Sequence, residues 1–388
     1  MGAITPIGND SETFWANLLA GVPGGGPITS FDTTGHDVRI AAEVKDFDPT
    51  VAMDRKMARR MSRFIHFGVA AATEAVARSG IDFSTWTPEQ RDRVGVVINT
   101  GGGGMEQVID GARTLWEKGP GQVSPFAIPA VSGSMAAAQV SMKYGLTGPV
   151  MTQVAACASG VIAFQDALRL IANDECDVVI AGGVEHMGRH PMGEGADPNP
   201  RFLSEKLIDM SALSMGDTAH AQERGATILA EIIGAALTAD AFHISAPEPT
   251  GRGAAMAMAG AMRHAGIGPT DIDYLVAHGT STPLNDVTET KAIKRAYGER
   301  AATLAISSPK SMVGHMLGAA GAVAGIAAVG SIRDGWIPPT INYHEPDPEC
   351  DLDYTPNVKR RLRVDTAMIN GFGFGGQNDV AIFRRFAG

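Results

Sequence analysis

Cysteine is scarce in this sequence. Its 388 residues include three, Cys157, Cys176 and Cys350. No Cys-x-x-Cys pair or Cys/His ligand spacing occurs, which excludes a disulfide framework and argues against structural zinc. Basic residues are outnumbered, 32 Lys and Arg against 42 Asp and Glu. The net charge of −10 draws the surface as a whole to neither nucleic acid nor anionic membrane, so any acidic partner needs a local basic patch. Long strongly apolar runs are missing as well. The longest apolar stretch, 316–332, is mostly Ala and Gly, a density that suits a helix packed tightly against a sheet or helix rather than lipid. The opening MGAITPIGNDSETFW has no basic segment leading into an apolar one, and Pro6 stands where a myristoylation motif needs Ser or Thr. A cytoplasmic protein with no membrane or nucleic-acid partner is expected. Hydrophobic residues at 44% and charged ones at 19% exclude a disordered chain, and the length suits two α/β halves.

What is present is alternation. Short β-branched runs at 93–99, 150–157, 177–182, 274–278, 304–308, 366–371 and 379–383 read as strands, and 227–234 as a strand or a helix end. Between them lie helical patterns at 60–79, 160–172, 253–265, 287–297 and 318–333. That order predicts an α/β fold with mostly parallel sheets covered on both faces. No linker or fixed-period repeat divides the chain, and the simplest partition is two strand-rich halves, 1–225 and 226–388.

The chemistry collects at strand ends. Cys157 closes VMTQVAAC and is followed by Ser159-Gly160 and a helical pattern. A thiol on such a strand-to-helix turn is accessible between small neighbours, and the helix N-terminus favours its thiolate and an oxyanion. Cys176 and Cys350 lack that setting and read as small hydrophobes. His278 opens HGTSTPLND after a strand, and His315 sits in KSMVGHMLGAAGA before a helix. Strand C-terminal ends are where open α/β sheets place ligands. The GFGFGGQN turn offers further backbone N–H groups for an oxyanion hole. DRKMARRMSRF gathers Arg55, Lys56, Arg59, Arg60 and Arg63 at spacings that put much of the charge on one helical face. The TGGGGMEQ run has neither an acidic ribose partner nor a P-loop lysine, so no nucleotide cofactor is expected, and no metal.

Taken together, AACASG, AHGTSTPLND, KSMVGHMLGAAGA and GFGFGGQN closely resemble the β-ketoacyl-acyl-carrier-protein synthases, the elongating condensing enzymes of fatty acid synthesis. PPTINYHEPDPECDLDYTPN also looks like that branch. The resemblance spans nearly the whole chain. It implies a thiolase-like fold, two similar βαβαβαββ halves layered α-β-α-β-α, a homodimer, and decarboxylative condensation of an acyl group with malonyl-carrier protein. By the same resemblance Cys157 is the acylated nucleophile, and His278 and His315 bind the malonyl thioester carbonyl. Lys310 and its ion-pair partner Glu289 support them. Phe374 is the gating aromatic beside Phe372. Thr280, Thr282 and Ser245 bind the phosphopantetheine arm of the acyl-carrier protein, with no bound cofactor. Lys56, Arg59 and Arg60 fall where the family docks that partner. Gly102 replaces a branched gate residue, which implies medium to long acyl chains.

The resemblance is uneven. The family opens with an apolar strand ending in Thr-Gly, whereas this chain begins at MGAITPIGN, and SMGDTA runs straight into HAQERGATILAEIIG where another strand is expected. The first half is therefore expected to lack two strands, one of them central, with 2–8 the candidate substitute. Residues 181–219 instead resemble thiolases. Two further functions follow: a CoA-dependent thiolase-type acyltransferase, disfavoured because GFGFGG lacks a second cysteine, and a catalytically inactive partner subunit, disfavoured because the nucleophile is present.

Overall fold

The computed structural model describes residues 1–186 and 218–388, together with the backbone of 211–216. Strands β1 (Gly2–Ala3), β2 (Val94–Thr100), β3 (Val150–Met151), β4 (Val178–Val184) and β5 (Ser211–Gly216) form one sheet in the order β1-β5-β4-β2-β3. Strands β6 (Glu231–Ala239), β7 (Tyr274–Val276), β8 (Ala305–Ser307), β9 (Thr366–Gly373) and β10 (Gln377–Arg384) form the second, in the order β6-β10-β9-β7-β8. The two orders are the same: first, fifth, fourth, second, third. Pairing directions repeat too, with the second strand parallel to the third and fourth. The fifth is antiparallel to the fourth and the first in both sheets. The halves repeat an architecture that leaves no periodic trace in residue identities.

Helices α1 (Arg63–Ser79) and α2 (Met135–Tyr144) cover the outer face of the first sheet; α3 (Ser159–Ala172) and, later in the chain, α6 (Ala320–Asp334) lie between the sheets. Helices α4 (Arg252–Ala265) and α5 (Asn285–Tyr297) cover the outer face of the second. The strand sequences dictate this layering. Along β2, Val94, Val96 and Ile98 enter the outer core while Val97 enters the central one. Along β9, Ala367 and Ile369 point to the centre and Met368 outward. Side chains alternate faces along a strand, so a continuous apolar run is what a sheet buried on both faces requires.

The Ala/Gly-rich stretch behaves as its composition predicts. Leu317–Asp334 is long and apolar enough to cross a membrane, yet 83% of it is buried inside the protein. Small residues let α3 and α6 touch backbone to backbone: a Cβ on Gly160 would stand 2.8 Å from the Ala322 nitrogen, and one on Gly321 only 2.3 Å from the Val161 nitrogen.

Four expectations need correction. The first sheet does not lack two strands. Gly2–Ala3 and Ser211–Gly216 fill the first and fifth positions, and the first position is an edge rather than central. The substitution expected of 2–8 is thus made by two residues. They hold because Gly2 lies flat on α1, where a Cβ would be 2.0 Å from the Ala71 oxygen, and because Ala3 N–H donates to Glu74 at 2.9 Å. Second, the strand expected over 150–157 ends at Met151; Val154 makes only an isolated bridge to Thr100 before a 3-10 turn. Third, the helix expected from residue 60 starts at Arg63. Asp54 caps a four-residue helix, Arg55–Ala58, and the chain then bends so that Ser62 can open α1. The basic cluster is therefore split between two elements. Fourth, of 227–234, read as a strand or a helix end, only 231–234 are strand: β6 starts at Glu231 and runs on to Ala239. Of the thiolase-like stretch, residues 187–210 and 217 lie outside the described residues.

Candidate active site

Cys157 sits in the 3-10 turn Ala156–Ala158 that runs directly into α3, and it is buried. Ala156 before it has φ +47°, a left-handed conformation that costs an L-residue roughly 1–3 kcal/mol and persists only where its surroundings enforce it. Ser159 supplies the enforcement. Its hydroxyl donates toward the Thr100 and Ala156 oxygens (3.0 and 2.8 Å) and accepts from Ala155 N–H at 2.9 Å. The second half repeats the device. The turn Leu317–Ala319 runs into α6, and Leu317 has φ +39°. Cys157 and Gly318 thus occupy equivalent positions in the two halves.

His278 and His315 face each other, ring centroids 5.3 Å apart and planes at 85°. His278 Nδ1 accepts from Phe372 N–H at 3.2 Å, and His315 Nδ1 accepts from Leu317 N–H at 3.2 Å. A backbone amide can only donate, so each neutral ring carries its proton on Nε2. Phe372, at the end of β9, also packs against the His278 ring with centroids 5.4 Å apart.

Beneath the histidines lies a charged floor. Lys310 Nζ donates to the His278 carbonyl at 2.5 Å. Burial pulls its pKa down to about 8, against the opposing pull of Glu289, Cys157 and Asp286. Glu289 does not form the expected ion pair. Its carboxylate accepts from the His278 and Gly279 N–H groups, both at 2.8 Å, and from Asn370 Nδ2 at 2.9 Å. Burial raises its pKa, and those hydrogen bonds oppose the rise. Lysine and glutamate thus hold the same His278 turn from its two backbone ends, one by the carbonyl and one by the amides.

The GFGFGG hairpin covers the nucleophile turn. A Cβ on Gly373 would lie 2.7 Å from the Ala155 oxygen, so only hydrogen fits there. Phe374 follows, 39% exposed, and Gly375 N–H donates to the Ile244 carbonyl at 2.8 Å. That bond ties the hairpin to the exposed loop carrying Ser245. Thr280 and Thr282 share a hydrogen bond at 3.0 Å at the open side of the His278 turn. Gly102 lies between Met105 and Glu185, where an added Cβ would make ordinary contacts at 3.6 and 3.7 Å. Lys56 and Arg59 are exposed, whereas the Arg60 guanidinium stacks 4.2 Å from the Phe126 ring centre.

Residues 1–219 match the N-terminal domain of the beta-ketoacyl synthases, and residues 229–344 match their C-terminal domain. The chain belongs to the β-ketoacyl synthase family. It is 42% identical over 406 residues to 3-oxoacyl-acyl-carrier-protein synthase 2 of Synechocystis sp., covering 100% of this chain and 97% of that one. The synthase of the same name from Coxiella burnetii is 41% identical, with 99% and 97% covered. A solved β-ketoacyl synthase from Burkholderia phymatum superposes with a TM-score of 0.85 at 30% identity, covering 99% and 98%. The ishigamide ketosynthase/chain length factor gives 0.91 at 30% identity, covering 100% and 98%.

Three groups in this synthase site escaped the sequence reading. Asp286 accepts from Ser281 N–H at 3.1 Å and adds negative charge beside Lys310. Its signal was its place one helical turn before Glu289. Asn370, buried in β9, orients Glu289; an asparagine inside an apolar strand was the clue. Glu185 is the third.

Proposed function

We propose that this synthase loads an acyl group from acyl-carrier protein onto Cys157 and condenses it with malonyl-carrier protein, giving 3-oxoacyl-carrier protein, CO₂ and free carrier, as in fatty acid elongation. The histidine pair carries the proposal. The Cys157 thiolate adds to the acyl thioester carbonyl, and the carrier thiol leaves. Malonyl decarboxylation then puts negative charge on the thioester oxygen, where two Nε2–H donors, fixed by backbone amides, stabilise the enolate without a permanent base. The enolate carbon attacks the acyl-Cys157 carbonyl and expels the thiolate. Lys310 and Glu289 hold the His278 turn in register for this step, Phe374 and Phe372 gate the entrance, and Thr280, Thr282 and Ser245 line the pantetheine path. No resident cofactor or metal enters the scheme. Incubation with acyl- and malonyl-carrier proteins should release CO₂ and 3-oxoacyl product, with medium to long acyl chains accepted over Gly102. Product only from acyl-CoA, or only with short chains, would overturn the carrier or chain-length assignment respectively.

Lys310 makes the reaction pH-sensitive. Its folded pKa of about 8 lies below the ordinary 10.5, so its charge is present below pH 8 and lost as pH rises through it. Turnover should fall along an alkaline limb centred near pH 8. Stability should move the other way between about pH 8 and 10.5, because the unfolded chain holds the extra proton across that window. Lys310→Met should flatten both trends in rate profiles and denaturant titrations; parallel wild-type and variant curves would refute the assignment.

The carrier partner docks, on this proposal, at Lys56, Arg59 and Arg60, a local basic patch on an otherwise acidic enzyme. Reversing the two exposed charges, Lys56→Glu with Arg59→Glu, should raise KM for acyl-carrier protein about tenfold while leaving kcat intact. An unchanged KM would move the dock elsewhere.

A second copy of the chain completes the enzyme, a soluble cytoplasmic homodimer. Among the described residues edge strand β3 pairs on one side only; Val150 (41%) and the nearby Val154 (65%) are exposed, as are Ile128 (79%) and Trp116 (82%) elsewhere in the first half. The helix Met105–Lys118 buries none of its residues. An apolar sheet edge of this kind is self-complementary across a two-fold axis. Sedimentation equilibrium should return twice the chain mass, and a monomer would rule the arrangement out.

A further inference from the structure

Glu185 follows β4 and is wholly enclosed. Burial raises its carboxyl pKa to about 7, against the hydrogen bonds that favour the charged form. One oxygen, Oε2, accepts from Gly101 N–H at 2.6 Å and from Gly318 N–H at 3.3 Å. The other accepts from the Thr100 hydroxyl at 3.3 Å. These donors come from opposite halves of the molecule. Thr100 and Gly101 end the strand behind the Cys157 turn. Gly318 follows Leu317, the residue whose N–H fixes His315 Nδ1.

Packing brings the two backbones into direct contact at this junction. A Cβ on Gly318 would stand 2.4 Å from the Gly101 nitrogen, and one on Gly101 would stand 2.5 Å from Glu185 Oε2. Backbone meets backbone, and the carboxylate is the side-chain group that bridges them. The nucleophile turn, by contrast, has its own ties through Ser159 to Thr100 and Ala155.

We propose that Glu185 is a positioning residue for His315: by clamping Gly318 to the end of β2 it holds the strained Leu317 turn that aims the imidazole at the malonyl carbonyl. This inference rests on the condensation reading. The clamp weighs unequally on the two half-reactions: decarboxylation uses His315 directly, whereas acyl transfer uses the Cys157 turn, which Ser159 ties to Ala155 and Ala156 as well as to Thr100.

The test measures each half-reaction alone. Acylation of Cys157 by acyl-carrier protein is followed by intact mass, and CO₂ release from malonyl-carrier protein by trapping. Glu185→Met keeps a side chain of similar length but removes both acceptor oxygens, leaving the Gly101 and Gly318 N–H groups without their shared carboxylate partner. A small misplacement of a reacting group costs on the order of 10²-fold, so kcat for CO₂ release should fall by about that factor. KM for malonyl-carrier protein and the acylation rate should stay within about threefold. Thr100→Val removes the hydroxyl that donates to Glu185 and accepts from Gly103 N–H at 3.0 Å; it leaves both backbone bonds to the carboxylate and should show the same split at smaller amplitude, which keeps the test alive if the methionine variant misfolds. Equal losses in both half-reactions, losses that merely follow Tm, or wild-type rates in Thr100→Val together with an unsplit or unfolded Glu185→Met would overturn the role. A wild-type enzyme that acylates but releases no CO₂ would overturn the condensation reading itself, and with it this inference, before any variant is made.

Discussion

Cys157→Ala should leave no acyl adduct after incubation with acyl-carrier protein, and condensation should fall by more than about 10³-fold, the scale on which losing a covalent nucleophile reads out. The adduct cannot migrate to another thiol. Cys176 is buried against Gly95, and burial pushes its pKa to about 11; the Cys350 thiol is likewise raised by burial. Only a thiolate is a competent nucleophile, so Cys176→Ala should retain the full adduct. The histidine pair is held by backbone amides from Phe372 and Leu317 and does not depend on Cys157. Malonyl-carrier decarboxylation by Cys157→Ala should therefore persist within about tenfold of wild type while condensation vanishes. Intact mass and CO₂ trapping on one preparation separate these outcomes. An adduct surviving in Cys157→Ala would place the nucleophile elsewhere, and loss of both half-reactions would mean that the substitution collapsed the turn.

The site was legible because its chemistry sits at strand ends, where a short motif is also a local structure. AACASG read as a turn into a helix, which it is, although the strand before it stops at Met151, and two histidines beside glycine after strands read as sharing the ligand end of a sheet. The edge of the first sheet was illegible for the opposite reason. Its first strand is two residues long, and it pairs with a segment some 200 residues later. No local pattern can announce a two-residue strand whose existence depends on Glu74 and on a flat surface along α1. The Lys310–Glu289 relation failed differently. The resemblance implies an ion pair, but buried carboxylates seek donors of any kind, and three N–H groups lay closer at hand. Arg60 likewise reads as a free docking charge until Phe126, distant in sequence, comes beneath it.

The equivalence of Cys157 and Gly318 carries the largest structural prediction. Both follow a residue in the left-handed region at the mouth of a central helix. In one half that position carries a reactive side chain; in the other it must carry none. A Cβ on Gly318 would approach the Gly101 nitrogen to 2.4 Å and the Thr100 carbonyl carbon to 2.9 Å. These are backbone atoms at the end of β2 and just beyond it, so no rotamer change relieves the overlap. A Cβ on Gly183 would meet the Gly318 oxygen at 2.1 Å from the opposite side. Overpacking a core costs about 1–3 kcal/mol, and more where backbone must move; Gly318→Ala should therefore cost at least about 3 kcal/mol, a large share of a typical 5–15 kcal/mol. Gly121→Ala, with nothing within 4 Å of the added carbon, should change stability by less than about 0.5 kcal/mol. Denaturant titration of the three proteins measures this directly. What survives of Gly318→Ala should also lose CO₂ release faster than it loses stability, because the same displacement drags Leu317 N–H from His315 Nδ1. A Gly318→Ala enzyme as stable as wild type would mean that the two halves can part at this junction, and the clamp assigned to Glu185 would have nothing to hold.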